Sequence, residues 1–303
     1  MKKMLNQATI GGKLYAVNLE ERTSKKNVRY IGGDISVATN SEMSNIIKVT
    51  YIYVPETQKN FSTFKKLVDG AYETVETDGA EKAANIIIRG SAIALNEFIN
   101  RDGELVSVKR FEGGIPTILS SNIETEYVNE FDVDMLITNA RMVEATSDNE
   151  QDKVIIKGAC FNFRNELLPI EFVVKDEKGI NCITDFNVSN SNPLFIEVLG
   201  TQISQVYETS QEKPTMFGEP IIRTVRRNVK EFLVTNFASD PYPWDDEGTL
   251  LATEVSEKSA ERELKLATLK QEHETYLANK SNPAKELFNT ANKTNAPKTN
   301  IIF

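Results

Sequence analysis

The chain is short of histidine. Its one copy, His273, lies in a polar stretch toward the C-terminal end. That excludes Ser-His-Asp and Cys-His nucleophilic catalysis and any histidine-rich metal centre. Cysteine is nearly as scarce. Cys160 and Cys182 fit a reducing compartment, and with one histidine they cannot build a structural zinc site of the usual kind. No apolar run approaches the roughly 18 residues a membrane span needs, and the opening MKKMLNQATIGGKL has no apolar core for a secretion signal. The expectation is a cytoplasmic protein with no membrane contact. Phosphate-cradling GxxxxGK[ST] and GxGxxG loops are missing too. Carboxylate pairs such as Glu20–Glu21 and Asp245–Asp246 are sequence neighbours and read as solvated surface. No enzyme and no cofactor are expected. Cations are the minority: 35 Lys and Arg stand against 44 Asp and Glu, a net charge of −9. This counts against a simple basic nucleic-acid coat but allows a basic groove on an acidic body.

What is present is mostly strand pattern. The 303 residues suffice for two cores. Residues 8–20, VRYIGGDISVAT and NIIKVTYIYV read as three strands rich in β-branched and aromatic residues. FSTFKKLVDG places Phe61, Phe64, Leu67 and Val68 at helical spacing before a glycine stop. NIIIRGSAIALNEF and ELVSVKRF follow as a hairpin about Asn100–Arg101–Asp102–Gly103. Three strands, a short helix and two strands is the order of an OB-fold barrel; another small barrel or sandwich has the same strand order. The order then returns. Phe131–Ala145 reads as a strand, 153–164 and 167–175 as a strand pair, PLFIEVL (193–199) as a short helix, and TQISQVYET and TVRRNVKEFLVTN as the closing strands. Thr249–Lys280 reads as a helix whose apolar stripe (Leu251, Val255, Leu266, Leu269, Tyr276) is interrupted at Lys258, Ser259 and Arg262. The expected organisation is a mainly β chain. A first OB-like barrel over 1–127 and a second over 128–243 precede a C-terminal helix over 244–282 and a disordered tail over 283–303.

The stretch VIIKGACFNFRNELLPIEFVVK is the focus. Alternation places Val154, Ile156, Gly158 and Cys160 on one face, and Lys157, Phe161 and Phe163 on the other. Two phenylalanines and a lysine facing outward need a cover: bases on the rings and a phosphate on the lysine, or a second sheet or partner. Arg164 stands in the adjoining turn. In the first barrel the aromatic and basic candidates are Tyr30, Lys48, Tyr51, Tyr53, Arg89, Lys109, Arg110 and Phe111. Each tyrosine there has two readings, packing or base stacking. In the second, Arg223, Arg226, Arg227 and Lys230 form the one basic cluster, suited to phosphates or to pairing with surface carboxylates.

These stretches, with IGGKLYAVNLEER, FDVDMLITNARMVE and MFGEPIIRTVRRNVKEFLV, resemble phage-encoded single-stranded DNA-binding proteins built on OB-folds, over roughly residues 8–237. The resemblance implies sequence-tolerant coating of single-stranded DNA in phage DNA replication or recombination, in the host cytoplasm. Cations would hold phosphates and aromatics would stack bases. A barrel, a linker and an apolar tip (Ile301, Ile302, Phe303) also resemble the layout of bacterial single-strand binders, implying a tail that docks replication or recombination proteins. The tip here lacks the preceding acids. The rivals are a protein-interaction module, such as a replisome adaptor, and a carboxylate-metal nuclease.

Overall fold

The computed structural model describes residues 4–120, 123–145, 151–213, 217 and 221–280. The chain forms two compact units: Met1–Leu95 with Lys109–Val255, and Asn96–Val108 with Ser256–Phe303. Its strands are β1 (Asn6–Thr23), β2 (Arg29–Ala38), β3 (Ile46–Pro55), β4 (Asn85–Ile99), β5 (Leu105–Glu112), β6 (Ile115–Ile118), β7 (Val128–Val143), β8 (Lys153–Phe161), β9 (Leu167–Val174), β10 (Leu194–Lys213) and β11 (Ile221–Phe237). The helices are α1 (Phe61–Val68), α2 (Val75–Asp78), α3 (Glu177–Asp185) and α4 (Ala252–Lys280). Among the described residues, no helix is long and apolar enough to cross a membrane.

Two strand rings close in the same way. In the first, β1, β2 and β3 form an antiparallel meander, β5 joins β3 in parallel, and β4 returns to β1. In the second, β7, β8 and β9 form the meander, β11 joins β9 in parallel, and β10 returns to β7. This is the OB-fold connection, twice. Each helix falls between the third and fourth strand of its ring. The second ring's helix corrects the sequence expectation. PLFIEVL opens β10, and the helix is the more polar α3 before it, capped by Asp176, whose side chain accepts from Gly179 N at 3.1 Å. A seven-residue stretch that is apolar but for Glu197 is too short to show a period of its own, so strand and helix compete until neighbours decide. In α3 only Ile180 and Ile183 face the core.

The rings are fused. β1 gives the edge that β2 does not reach to β7, pairing Asn6 with Val133 through to Gly11 with Val128. One apolar cluster runs through both rings. Phe111 of the first ring meets Phe232 of the second with centroids 5.4 Å apart, and Phe131 and Phe172 complete the group. Asparagines stitch the rims. Asn6 Nδ2 donates to the carbonyls of Ile93 (3.0 Å) and Phe161 (3.1 Å), and Asn45 takes Ser204 N at 2.8 Å.

Burial removes three candidates from the surface: it selects the packing reading for Tyr51, encloses Phe111 and overturns the outward placement of Phe161. Tyr51 lies edge-on to Phe64 at 4.7 Å, and Phe111 is wholly enclosed. Phe161 is 1% exposed although it alternates with the core positions of β8. Its cover comes from chain distant in sequence: the segment after β11 crosses this end of the barrel and lays Tyr242, Trp244 and Leu250 around Phe161, Leu136 and Phe195. Tyr242 fixes that segment by donating its hydroxyl to Glu197 Oε2 at 3.2 Å, with its backbone N–H on Phe195 O at 2.8 Å. Beside it, burial and then the Glu197 carboxylate push the Asp132 carboxyl up to about 6.

In the other unit, α4 presents a half-covered stripe that includes Lys258, Ser259, Arg262, Leu266, Leu269 and His273. The expected interruption is therefore part of the covered face, and Arg262 pairs there with Glu97 of the β4–β5 hairpin. Tyr276, expected in the stripe, is exposed.

Replacing Phe161 with Ala should lower unfolding stability by about 3–5 kcal/mol, read by denaturant titration, as for a buried core aromatic. Asp132 tests the acidic cluster. Its raised pKa favours the protonated form, so its contribution is fully present below about pH 4 and lost as pH rises through about 6. D132N should therefore melt higher than the parent at pH 8, by less than about 1 kcal/mol after solvent screening. The difference should shrink toward pH 4.

Candidate nucleic-acid interface

Alternation along β8 and β9 builds one two-faced sheet. Val154, Ile156 and Cys160, with Leu168, Ile170, Phe172 and Val174, go to the core. Lys153, Ile155 and Lys157, with Pro169, Glu171, Val173 and Lys175, go outward. β11 adds Glu231 and Leu233. The outward face thus carries lysines interleaved with two glutamates. Lys157 Nζ meets Glu171 Oε2 at 3.0 Å, across a directly paired register. Glu231 spans two cations, with Oε2 2.6 Å from Lys175 Nζ and Oε1 3.7 Å from Lys153 Nζ.

Lys109 arrives from β5 of the first ring. Its ammonium donates to the Glu171 carbonyl and stands 5.3 Å from the Phe232 centroid and 5.9 Å from that of Phe172. Burial lowers its pKa, and the ring faces favour the charged form in return. Lys109 therefore caps the shared aromatic group.

The β8–β9 turn ends this face. Asn162 Oδ1 accepts from Arg164 N (2.9 Å) and Glu166 N (3.0 Å), its Nδ2 donates to Glu166 Oε2 (2.6 Å), and Asn165 takes the left-handed conformation at φ 59°. The braced turn leaves Phe163 78% exposed, with the Arg164 guanidinium 5.1 Å from its ring centroid. Asn100 braces the Arg101–Asp102 turn by the same bonds, to Asp102 N (2.9 Å) and Glu104 N (2.8 Å). Between Lys157 and the tip the outward positions Ala159 and Phe161 are buried, Phe161 under the segment after β11, so along β8 the open face is the Lys153–Lys157 stretch, roughly 13 Å at ~3.3 Å per residue. That length suits a short run of nucleotides.

On β11, Arg227 pairs in register with Tyr207, Arg226 with Glu208 and Arg223 with Gln211. For these three arginines only the backbone is described. The register divides the expected cluster: Arg223 and Arg227 fall in step with Glu231, while Arg226 falls in step with Lys230. Lys230 is exposed and pairs with Ser204. Phe217 in the β10–β11 loop is exposed. Met216 and the tail residues Ile301, Ile302 and Phe303 lie outside the described residues.

The corresponding face of the first ring is different. Tyr30 and Tyr53 lie against each other, centroids 4.7 Å apart. A bulge between the Ile31–Val54 and Gly33–Tyr51 pairs turns both Ile52 and Tyr53 outward while Tyr51 stays in the core. The cations here are matched by acids. Lys48 pairs with Asp34 (3.7 Å), Arg29 with Glu56 (2.8 Å) and Glu21 (3.4 Å), and Arg110 with Glu112 (3.0 Å). Arg89 is exposed on β4, between Thr9 and Ile115 in register. A cavity of about 280 Å³ lined by Glu130, Asp132, Gln7 and Asn236 opens near the β1–β7 junction; its carboxylates would repel a phosphate.

Of the expected residues, Lys157 is exposed on the outward face beside Lys153, and Phe163 and Arg164 are exposed at the turn that ends the same strand pair. The structure sends Tyr51, Phe111 and Phe161 to the core. Lys175 was missed. Counting alternate residues along β9 from Glu171 reaches it.

No curated protein sequence matches the chain. Among solved structures it is similar to a deletion mutant of the single-stranded DNA binding protein from Thermus aquaticus. The identity is 12% over 80% of this chain and 98% of that one, with a TM-score of 0.47. The wild-type Thermus aquaticus protein is similar at 11% identity over 78% and 93%, with a TM-score of 0.47. A Replication Protein A heterotrimer bound to ssDNA gives 9% identity over 88% and 70%, with a TM-score of 0.22. Residues 4–272 match the YorF family model, and the chain belongs to the YorF family.

Proposed function

We propose that the chain binds single-stranded DNA without sequence preference, through the outward face of its second barrel, during phage DNA replication or recombination. One observation carries this reading: the strand pair that bears the exposed lysine face also ends in an exposed, braced Phe163–Arg164 tip. Strands two and three form the usual ligand face of an OB barrel. Lysines there neutralise phosphates and release counterions. Phe163 offers a ring on which any base stacks, and Arg164 beside it adds a cation at the backbone. Nothing in this reading requires catalysis.

The first barrel suits a second role. Its Tyr30–Tyr53 pair and exposed Ile52 form an aromatic and apolar patch, a surface suited to a protein partner. The division of the chain at 1–127, 128–243 and 244–282 remains part of the proposal, with the two barrels unfolding together because they share one core.

Anisotropy of a labelled oligo-dT tests the reading. Binding should be tight at low salt and weaken steeply as salt rises. F163A should cost about 1–3 kcal/mol of binding free energy, R164A should weaken binding and flatten the salt slope, and both should melt like the parent. Replacing Tyr30 and Tyr53 together with Ala should change affinity by no more than about twofold, within the ordinary spread of surface changes. Absence of binding at low salt would overturn the proposal.

A further inference from the structure

Resting on the single-strand-binding reading, we infer that Glu231 and Glu171 are internal competitors of the DNA phosphates, and that they set the affinity of the second-barrel face. Glu231 occupies the place a phosphodiester would take. Its two carboxylate oxygens address two ammonium groups from different strands, Oε2 on Lys175 at 2.6 Å and Oε1 on Lys153 at 3.7 Å. A phosphate presents its two non-bridging oxygens in the same manner. Glu171 holds Lys157 at 3.0 Å in the same way further along the face.

The arrangement has a definite electrostatic consequence. In the free protein the two carboxylates offset two of the three lysine charges, so the face does not gather polyanions indiscriminately. An entering strand must take the ammonium groups from the carboxylates. Each carboxylate then remains beside a phosphate and repels it. Binding is weaker, and less salt-dependent, than three lysines alone would give. The two sites differ in exposure. The Lys157–Glu171 pair is about half exposed on both sides, whereas Glu231 is largely covered, at 19%. Exchange at Glu171 is easy, and Glu231 is the stronger restraint because its charge is less screened by water.

A purely structural clamp would behave differently. If Glu231 only tied β8, β9 and β11 together, neutralising it would loosen the lysines and lower the melting temperature, and binding would weaken or stay the same. Competition predicts the opposite sign. The isosteric E231Q variant keeps a carbonyl acceptor for a lysine and removes the charge.

The experiment compares the full chain with E231Q and E171Q, titrating each into labelled oligo-dT across a salt series while thermal melts verify the fold. E231Q is expected to bind roughly three- to tenfold tighter at low salt, with a steeper salt slope by up to about 0.7. E171Q should move the same way by a smaller factor, and being half exposed it reports even where E231Q fails to fold. Native melts with unchanged or weaker binding in both variants would overturn the inference while leaving the single-strand-binding reading intact. Failure of the parent chain to bind at low salt would instead overturn that reading and this inference with it.

Discussion

One backbone pairing governs the molecule: the first strand of one ring lying antiparallel to the first strand of the other, Asn6–Gly11 against Val128–Val133. A barrel strand has two edges to satisfy. β1 gives β4 one edge, and it gives the other first to β7 and then, from Lys13 onward, to β2. β7 divides its edges between β1, β10 and β8 in the same fashion. Along most of the junction each strand is paired on both edges, which reduces the exposed edge that would otherwise invite aggregation. The junction also sets the distance at which Phe111, Phe131, Phe172 and Phe232 meet. The rings therefore share their interior, and the surface built on β8, β9 and β11 stands on both.

That dependence explains how Lys109 is used. In the sequence it sits in a basic–aromatic strand end, Lys-Arg-Phe, that suits nucleic acid. In the fold, Phe111 fills the shared core, Arg110 is matched by Glu112, and Lys109 reaches from one ring to a carbonyl of the next. Lys109 and Phe111 serve the junction, because they lie where the rings meet.

The net charge of −9 has a similar resolution. The acids are distributed. Some pair with cations on the first ring. Asp132, Asp134 and Glu197 gather about Tyr242, where the chain crosses from β11 toward α4. Two more sit within the lysine face itself. Total charge is thus a poor guide to what a polyanion would meet; local pairing decides it.

Much of the architecture was legible in the sequence. β-Branched runs, the Asn-Arg-Asp-Gly turn and the spacing of Phe61, Phe64 and Leu67 determined strands, hairpin and helix, because these are local preferences of backbone and side chain. Their repeated order determined two barrels. The outward positions of Lys157, Phe163 and Arg164 were readable too, since strand alternation and a turn are both short-range. Only the tertiary structure decided Phe161 and Tyr53. Alternation says which side of a sheet a residue occupies but not whether that side is covered, and Phe161 is covered by chain some eighty residues away. A bulge adds a residue on one strand and shifts every later position, so Tyr53 parts from Tyr51 through a pairing with β2 that β3 alone does not encode. The same holds for Glu231 with Lys153 and Lys175. A hairpin and a strand some sixty residues further on bring one carboxylate between two ammonium groups, and that juxtaposition exists only when β11 has joined β9.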